Sequence, residues 1–141
     1  METNDEQLLL TDLCARLPYG VMVHTSFMGH EEDMLLTSAN IEAMLGDYGP
    51  VPIMNMVEDD INDGFTLENI KPYLRPMSSM TGIEVLEYIS LKESIIASDD
   101  VTYFFETCES IDWLNAHHFD YRGLIGKGLA LEAPEGMYNI K

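Results

Sequence analysis

A chain of 141 residues is of single-domain length, and its 46% hydrophobic residues, spread along the chain, predict a packed core rather than disorder. Twenty-five acids against seven bases give a net charge of −18, which argues against direct binding to nucleic acid or to an anionic membrane surface. No apolar run approaches the ~18 residues needed to span a bilayer, no basic and then apolar leader opens the chain, and Cys14 and Cys108 lie far apart; the expectation is a cytoplasmic protein with both thiols reduced.

In chain order, Asn4-Asp5-Glu6 followed by Leu8, Leu9, Leu10, Leu13 and Leu17 reads as an N-capped amphipathic helix stopped by Pro18 and Gly20. Val21 to Ser26, Met34 to Thr37 and Val51 to Val57 read as short strands, with turns at Gly49-Pro50 and Asp63-Gly64. Phe65-Thr66-Leu67 can close the sheet before a corner at Pro72 and Pro76. A capping box, Thr81-x-x-Glu84, precedes Ile83, Leu86 and Ile89 at helical spacing. Ser94 to Phe105 holds the β-rich run Val101 to Phe105 after the turn-prone Ser98-Asp99-Asp100 and fits either a strand or the start of a helix. Ser110 to Phe119 places Ile111, Leu114 and His118 on one helical face, and Gly123, Gly126 and Gly128 punctuate a flexible tail. The expected fold is a single α+β domain over 1–141. A small antiparallel, barrel-like sheet of three to five short strands is flanked by an N-terminal helix and C-terminal helices.

The charge is unevenly distributed. Residues 1–70 hold 14 acids against Arg16 alone, net −13, whereas residues 71–141 hold 11 acids against six bases, net −5. Between Leu17 and Ile70 there is no Lys or Arg, while Glu31, Glu32, Asp33, Glu42, Asp47, Glu58, Asp59, Asp60, Asp63 and Glu68 all fall there. Duplex DNA carries one charge per ~1.7 Å of axis, so 18 charges match roughly 30 Å of duplex, close to the width of a domain of this size. Gathered on one face, these carboxylates approach the charge density of DNA.

Three blocks, Asp12 to Val21 (DLCARLPYGV), Ile70 to Thr81 (IKPYLRPMSSMT) and Ile111 to Ile125 (IDWLNAHHFDYRGLI), resemble a family of small proteins of gut bacterial genomes and their phages and integrated elements. No catalytic role comes with the family. The resemblance implies a mobile-element setting in a host cell and an α+β domain with a small barrel-like sheet, and most of the acidic stretch lies between its blocks.

Residue spacing bears on several chemistries. In Glu58 to Gly64, a calcium-loop register puts Ile61 and Ile70 where ligands are required, so an exposed acidic hairpin turn fits better. His117 and His118 point ~100° apart on a helix and cannot easily share a metal; one fits a packed position and the other a helix end. Cys14, among the apolar positions of the first helix, reads as a buried structural thiol. Gly123 to Gly128 has the wrong spacing for a phosphate loop and lacks its hydroxyl. Met22, Met28, Met34, Met44, Met54 and Met56 read as core fillers.

The functional expectation is a non-enzymatic, cofactor-free acidic interaction protein encoded by a phage or mobile element. It would act as a nucleic-acid mimic, its ten carboxylates standing in for phosphates on the basic surface of a host nucleic-acid-binding defence protein of the CRISPR or restriction type. Two alternatives stand beside it: a metal-binding module or metal-dependent enzyme using the acids with His24, His30 or His117, and a structural accessory protein with a solvated acidic face.

Overall fold

The computed structural model describes residues 3–27, 29–36 and 67–138. Helix α1 (Thr3–Arg16) carries Asp5 and Glu6 in its first turn and Arg16 in its last, both favourable to the helix dipole. Asn4 lies within this first turn rather than capping it. The 3-10 turn Leu17–Tyr19 follows, with Pro18 in its first positions, and Gly20 ends it at φ +78°, a conformation that costs glycine nothing. Strand β1 (Met22–Phe27) pairs antiparallel with β2 (His30–Leu35) on one side and with β3 (Ile70–Leu74) on the other.

Strand β3 runs through Pro72, where the sequence placed only a corner, and its other neighbour is β6 (Leu131–Glu132). The β3–β6 pairing is parallel and begins at Tyr73, just past the residue that has no N–H to give. The sheet of described strands, in order β2-β1-β3-β6, is therefore open and mixed, not a closed antiparallel barrel. The expected flexible tail is instead tied in, with Leu129 and Ala130 buried ahead of β6. The expected strand at Val51 to Val57, the turns at Gly49-Pro50 and Asp63-Gly64, and Phe65-Thr66 lie outside the described residues.

Beneath the sheet, Leu9 and Leu13 of α1 pack with Val21, Val23, Ile70 and Leu74 and with Leu36, Leu67 and Leu124 in one core. Met34 packs against that core as expected, and Met22 is half-buried; Met28, Met44, Met54 and Met56 lie outside the described residues.

Helix α2 (Gly82–Leu91) opens with the expected capping box, in which the Thr81 hydroxyl accepts from the Glu84 N–H and the Glu84 carboxylate from the Thr81 N–H. Strands β4 (Glu93–Ile96) and β5 (Thr102–Phe105) follow as a separate antiparallel pair, which settles Ser94 to Phe105 as a hairpin. Asp100 turns it at φ +64°. Helix α3 (Cys108–Ala116) starts earlier than its apolar pattern, because Thr107 and Ser110 form a second capping box. His117 caps its end, and His118 follows it, buried and at φ +65°.

Candidate functional site on the outer face of the sheet

Side chains alternate along a strand, so β1 buries Val23 and Thr25 and turns His24 and Ser26 outward. Register places Asp33 of β2 opposite His24 on one side and Lys71 of β3 opposite it on the other, a row of three charged or titratable groups across the strands. His24 Nδ1 lies 2.7 Å from Asp33 Oδ1, and its Nε2 lies 3.5 Å from Glu31 Oε1. The Tyr73 hydroxyl donates to the same Asp33 oxygen at 2.8 Å, with its ring edge-on to the imidazole. The hydrogen bonds from His24 and then Tyr73 hold the Asp33 carboxyl below the usual range. Burial, reinforced by Asp33, pushes the Tyr73 phenol up.

Beside this row is an open cavity of about 450 Å³ lined by His24, Ser26, Glu31, Glu68, Asn69, Lys71 and Leu131. Three carboxylates, those of Glu31, Asp33 and Glu68, thus adjoin one outward surface with His24 and Lys71. Such a surface suits cationic groups such as guanidinium or ammonium, which carboxylates engage through short charge-assisted hydrogen bonds.

Of the ten carboxylates read as candidates, the structure brings Glu31, Asp33 and Glu68 together and places Glu32, one residue out of phase, toward the opposite face of β2. Glu42, Asp47, Glu58, Asp59, Asp60 and Asp63 lie outside the described residues, as does the calcium-like segment Glu58 to Gly64. The three histidines of the metal alternative are not brought together. His30 shares the strand face of Glu32, not that of Glu31, and His117 stacks on Trp113 at 4.1 Å with Nδ1 2.9 Å from the Trp113 carbonyl. Among the described residues, no group of three His, Cys, Asp or Glu side chains is arranged to hold a metal ion. Cys14 is exposed rather than structural, because it lies off the inward stripe of α1; the burial it does have raises its thiol pKa. Cys108 is also exposed and free. Among the described residues no helix is long and apolar enough to cross a membrane.

A second constellation escaped the sequence reading. All three arginines of the chain converge on the segment His117 to Arg122. Arg16 is fully buried; its Nε donates to Asp12 at 2.8 Å and its Nη2 to the Phe119 carbonyl at 2.6 Å. Arg122 donates to the other Asp12 oxygen at 2.9 Å. Arg75 holds Glu84 in a bidentate pair at 2.8 and 2.7 Å while its guanidinium lies over the Phe119 ring. That pair holds the Glu84 carboxyl down at about 2. His118, stacked on Tyr138, is pushed down to about 4 by burial and then by the charge of Arg16. Two buried atoms, Arg16 Nη1 and His118 Nδ1, have no hydrogen-bond partner among the described residues. The available signal was Asp12-x3-Arg16 inside the apolar stripe Leu9, Leu13, an i,i+4 ion pair where only core residues belong.

The arginine cluster has an electrostatic consequence for the surface. Among the described residues Asp12 and Glu84 answer arginines, and four lysines are the other basic residues that the sequence sets against its 25 carboxylates. The three blocks of the sequence resemblance are the ones this cluster ties together: Asp12 and Arg16 in the first, Arg75 in the second, Phe119 and Arg122 in the third. No protein family, curated protein or solved structure matches the chain.

Proposed function

We propose that this protein is a non-enzymatic interaction module whose acidic surface binds the basic surface of a nucleic-acid-binding protein, as a mimic of nucleic acid. The observation that carries this reading is that all three arginines are engaged within the fold, Arg16 fully buried and Arg75 and Arg122 partly buried on Glu84 and Asp12. Arginine is the side chain best suited to pair with surface carboxylates, and here none is left for that task. The acids of the outer sheet face, Glu31, Asp33 and Glu68, are the described part of the surface offered to the partner. In this reading the partner is a host defence protein of the restriction or CRISPR kind, the protein is carried by a phage or mobile element, and binding takes place in the host cytoplasm.

Long-range attraction between a surface of this charge and a basic groove speeds encounter and is screened by salt over a Debye length of about 8–10 Å. The test is capture from a host lysate on the immobilised full chain at low salt, with elution by salt and separately by duplex DNA. The reading expects nucleic-acid-binding proteins that leave the chain below about 0.5 M salt and are displaced by duplex. Captured proteins indifferent to both salt and duplex contradict it.

A further inference from the structure

Away from the acidic sheet, α2 and the β4–β5 hairpin present a surface of opposite character. Amphipathic helices on a protein surface turn apolar residues inward and charges outward, whereas α2 does the reverse. Glu84 is buried on Arg75, while Glu87, which accepts from the Trp113 indole N–H at 3.3 Å, stays exposed. Ile83, Val85, Leu86 and Ile89 face solvent, Ile83 and Leu86 at 72% exposure. Strands β4 and β5 are exposed along their whole length, so Ile95, Ile96, Tyr103, Phe104 and Phe105 are uncovered on both faces.

An isolated two-stranded sheet is marginal in water and usually finds a third strand or a covering layer. The natural guards of an edge strand are charges, prolines and bulges. Strand β5, Thr-Tyr-Phe-Phe, contains no charged residue and no proline, and Val101 before it extends the uncharged run. The exposed side chains of α2 with those on one face of the hairpin, Ile95, Tyr103 and Phe105, offer on the order of 450 Å² of apolar surface, taking about 100 Å² for a fully exposed aliphatic side chain and about 200 Å² for an aromatic one. That is as large as the largest patch of an ordinary monomer, roughly 300–600 Å², which is often a binding surface. It approaches the apolar part of what a stable dimer buries, about 65% of roughly 800 Å² per subunit.

We infer that two copies of this chain associate through α2 and the β4–β5 hairpin, with β5 pairing antiparallel to β5 of the second copy about a two-fold axis. The occupant is a second copy for two reasons. An uncharged edge strand is self-complementary about a two-fold, so a single patch supplies both halves of the interface. Glu84 is buried while Ile83, Val85, Leu86 and Ile89 are exposed on α2, so this face is predominantly apolar and matches a second apolar face better than a strongly basic one. The dimer buries the neutral face and leaves the acidic sheet of each copy free.

Sedimentation velocity on the full chain at 10–100 μM tests this across a salt series, with Leu86→Glu and Phe104→Lys as variants. The wild type is expected to run at twice the 15.9 kDa chain mass. Its dimer tightens as salt rises, because screening relieves repulsion between two strongly acidic copies. Both variants are expected to be monomeric with an unchanged far-UV spectrum and, at concentrations low enough for the wild type to be monomeric, an unchanged unfolding midpoint. A wild type that stays monomeric at 100 μM in 0.5 M salt overturns the inference, as does a dimer that neither variant weakens. Capture of a basic partner weakens with salt instead, so the two associations stand or fall separately.

Discussion

The four-stranded sheet with α1 and the α2/β4–β5 region use the same residue types in opposite places. The first places apolar residues inside with one ion cluster, Asp12, Arg16 and Arg122, and turns Glu31, Asp33 and Glu68 to the outside. The second takes its acid Glu84 inside and leaves isoleucine, leucine and aromatic side chains in solvent. Both depend on the same device, an arginine that withdraws from the surface to hold a carboxylate within the fold. In the first region that device leaves the exterior more acidic; in the second it takes one acid, Glu84, out of an apolar exterior. The difference teaches that in a strongly acidic chain the few arginines decide where the acidity is displayed.

Breaking the device should cost most where it is deepest. Replacing Arg16 by methionine removes the cation that Asp12 and the Phe119 carbonyl share at zero exposure. A loss of roughly 3–5 kcal/mol in urea unfolding is expected, enough to leave the protein largely unfolded if its total stability is ordinary. Next in size is the Arg75–Glu84 pair. A carboxyl held at about 2 against an ordinary 4.5 favours the fold above pH 4.5, and this stabilisation is lost as pH falls toward 2. On the order of 2–3 kcal/mol should disappear across that window, and Glu84→Gln should flatten the profile there.

His118 shifts the other way in a neighbouring window. Its folded value of about 4 lies below 6.5, so the unfolded chain takes up the proton first and stability declines as pH falls from 6.5 to 4. His118→Asn tolerates the positive φ and carries no titrating ring, so that part of the slope should vanish in pH-dependent unfolding. Smallest is Leu86→Glu, exposed on α2, which should change the unfolding free energy by less than about 0.5 kcal/mol while removing self-association. A large loss of monomer stability there would mean that α2 is covered within the chain itself.

Much of the fold was legible because local rules dominated it. The Thr81-x-x-Glu84 box, the Gly20 stop and the Ser98 to Asp100 turn each stand where the residues put them. Strand β3 was hidden by Pro72, which speaks against a strand interior unless the neighbouring ladder starts beyond it. The early start of α3 was hidden because Ser110 fills a capping role usually read from Glu or Gln. At the site, alternation separates Glu32 from Glu31 and Asp33, and that follows from sequence once the strand is known. Strand registry with β3 does not, so neither the row Asp33–His24–Lys71 nor the shared hydrogen bond from Tyr73 was visible. Cys14 was misread because a run of leucines conceals which helical face turns inward; the buried positions are Leu9, Asp12, Leu13 and Arg16.

The central claim is that the acidic sheet face engages a basic partner by charge. The most direct measurement is the affinity of one captured nucleic-acid-binding protein for the wild type and for the double variant Glu31→Lys, Glu68→Lys, by titration calorimetry at 0.1 M salt. At least ten-fold weaker binding by the variant is expected, about 1.4 kcal/mol, with the unfolding midpoint unchanged. Equal affinity of the two chains would contradict the account.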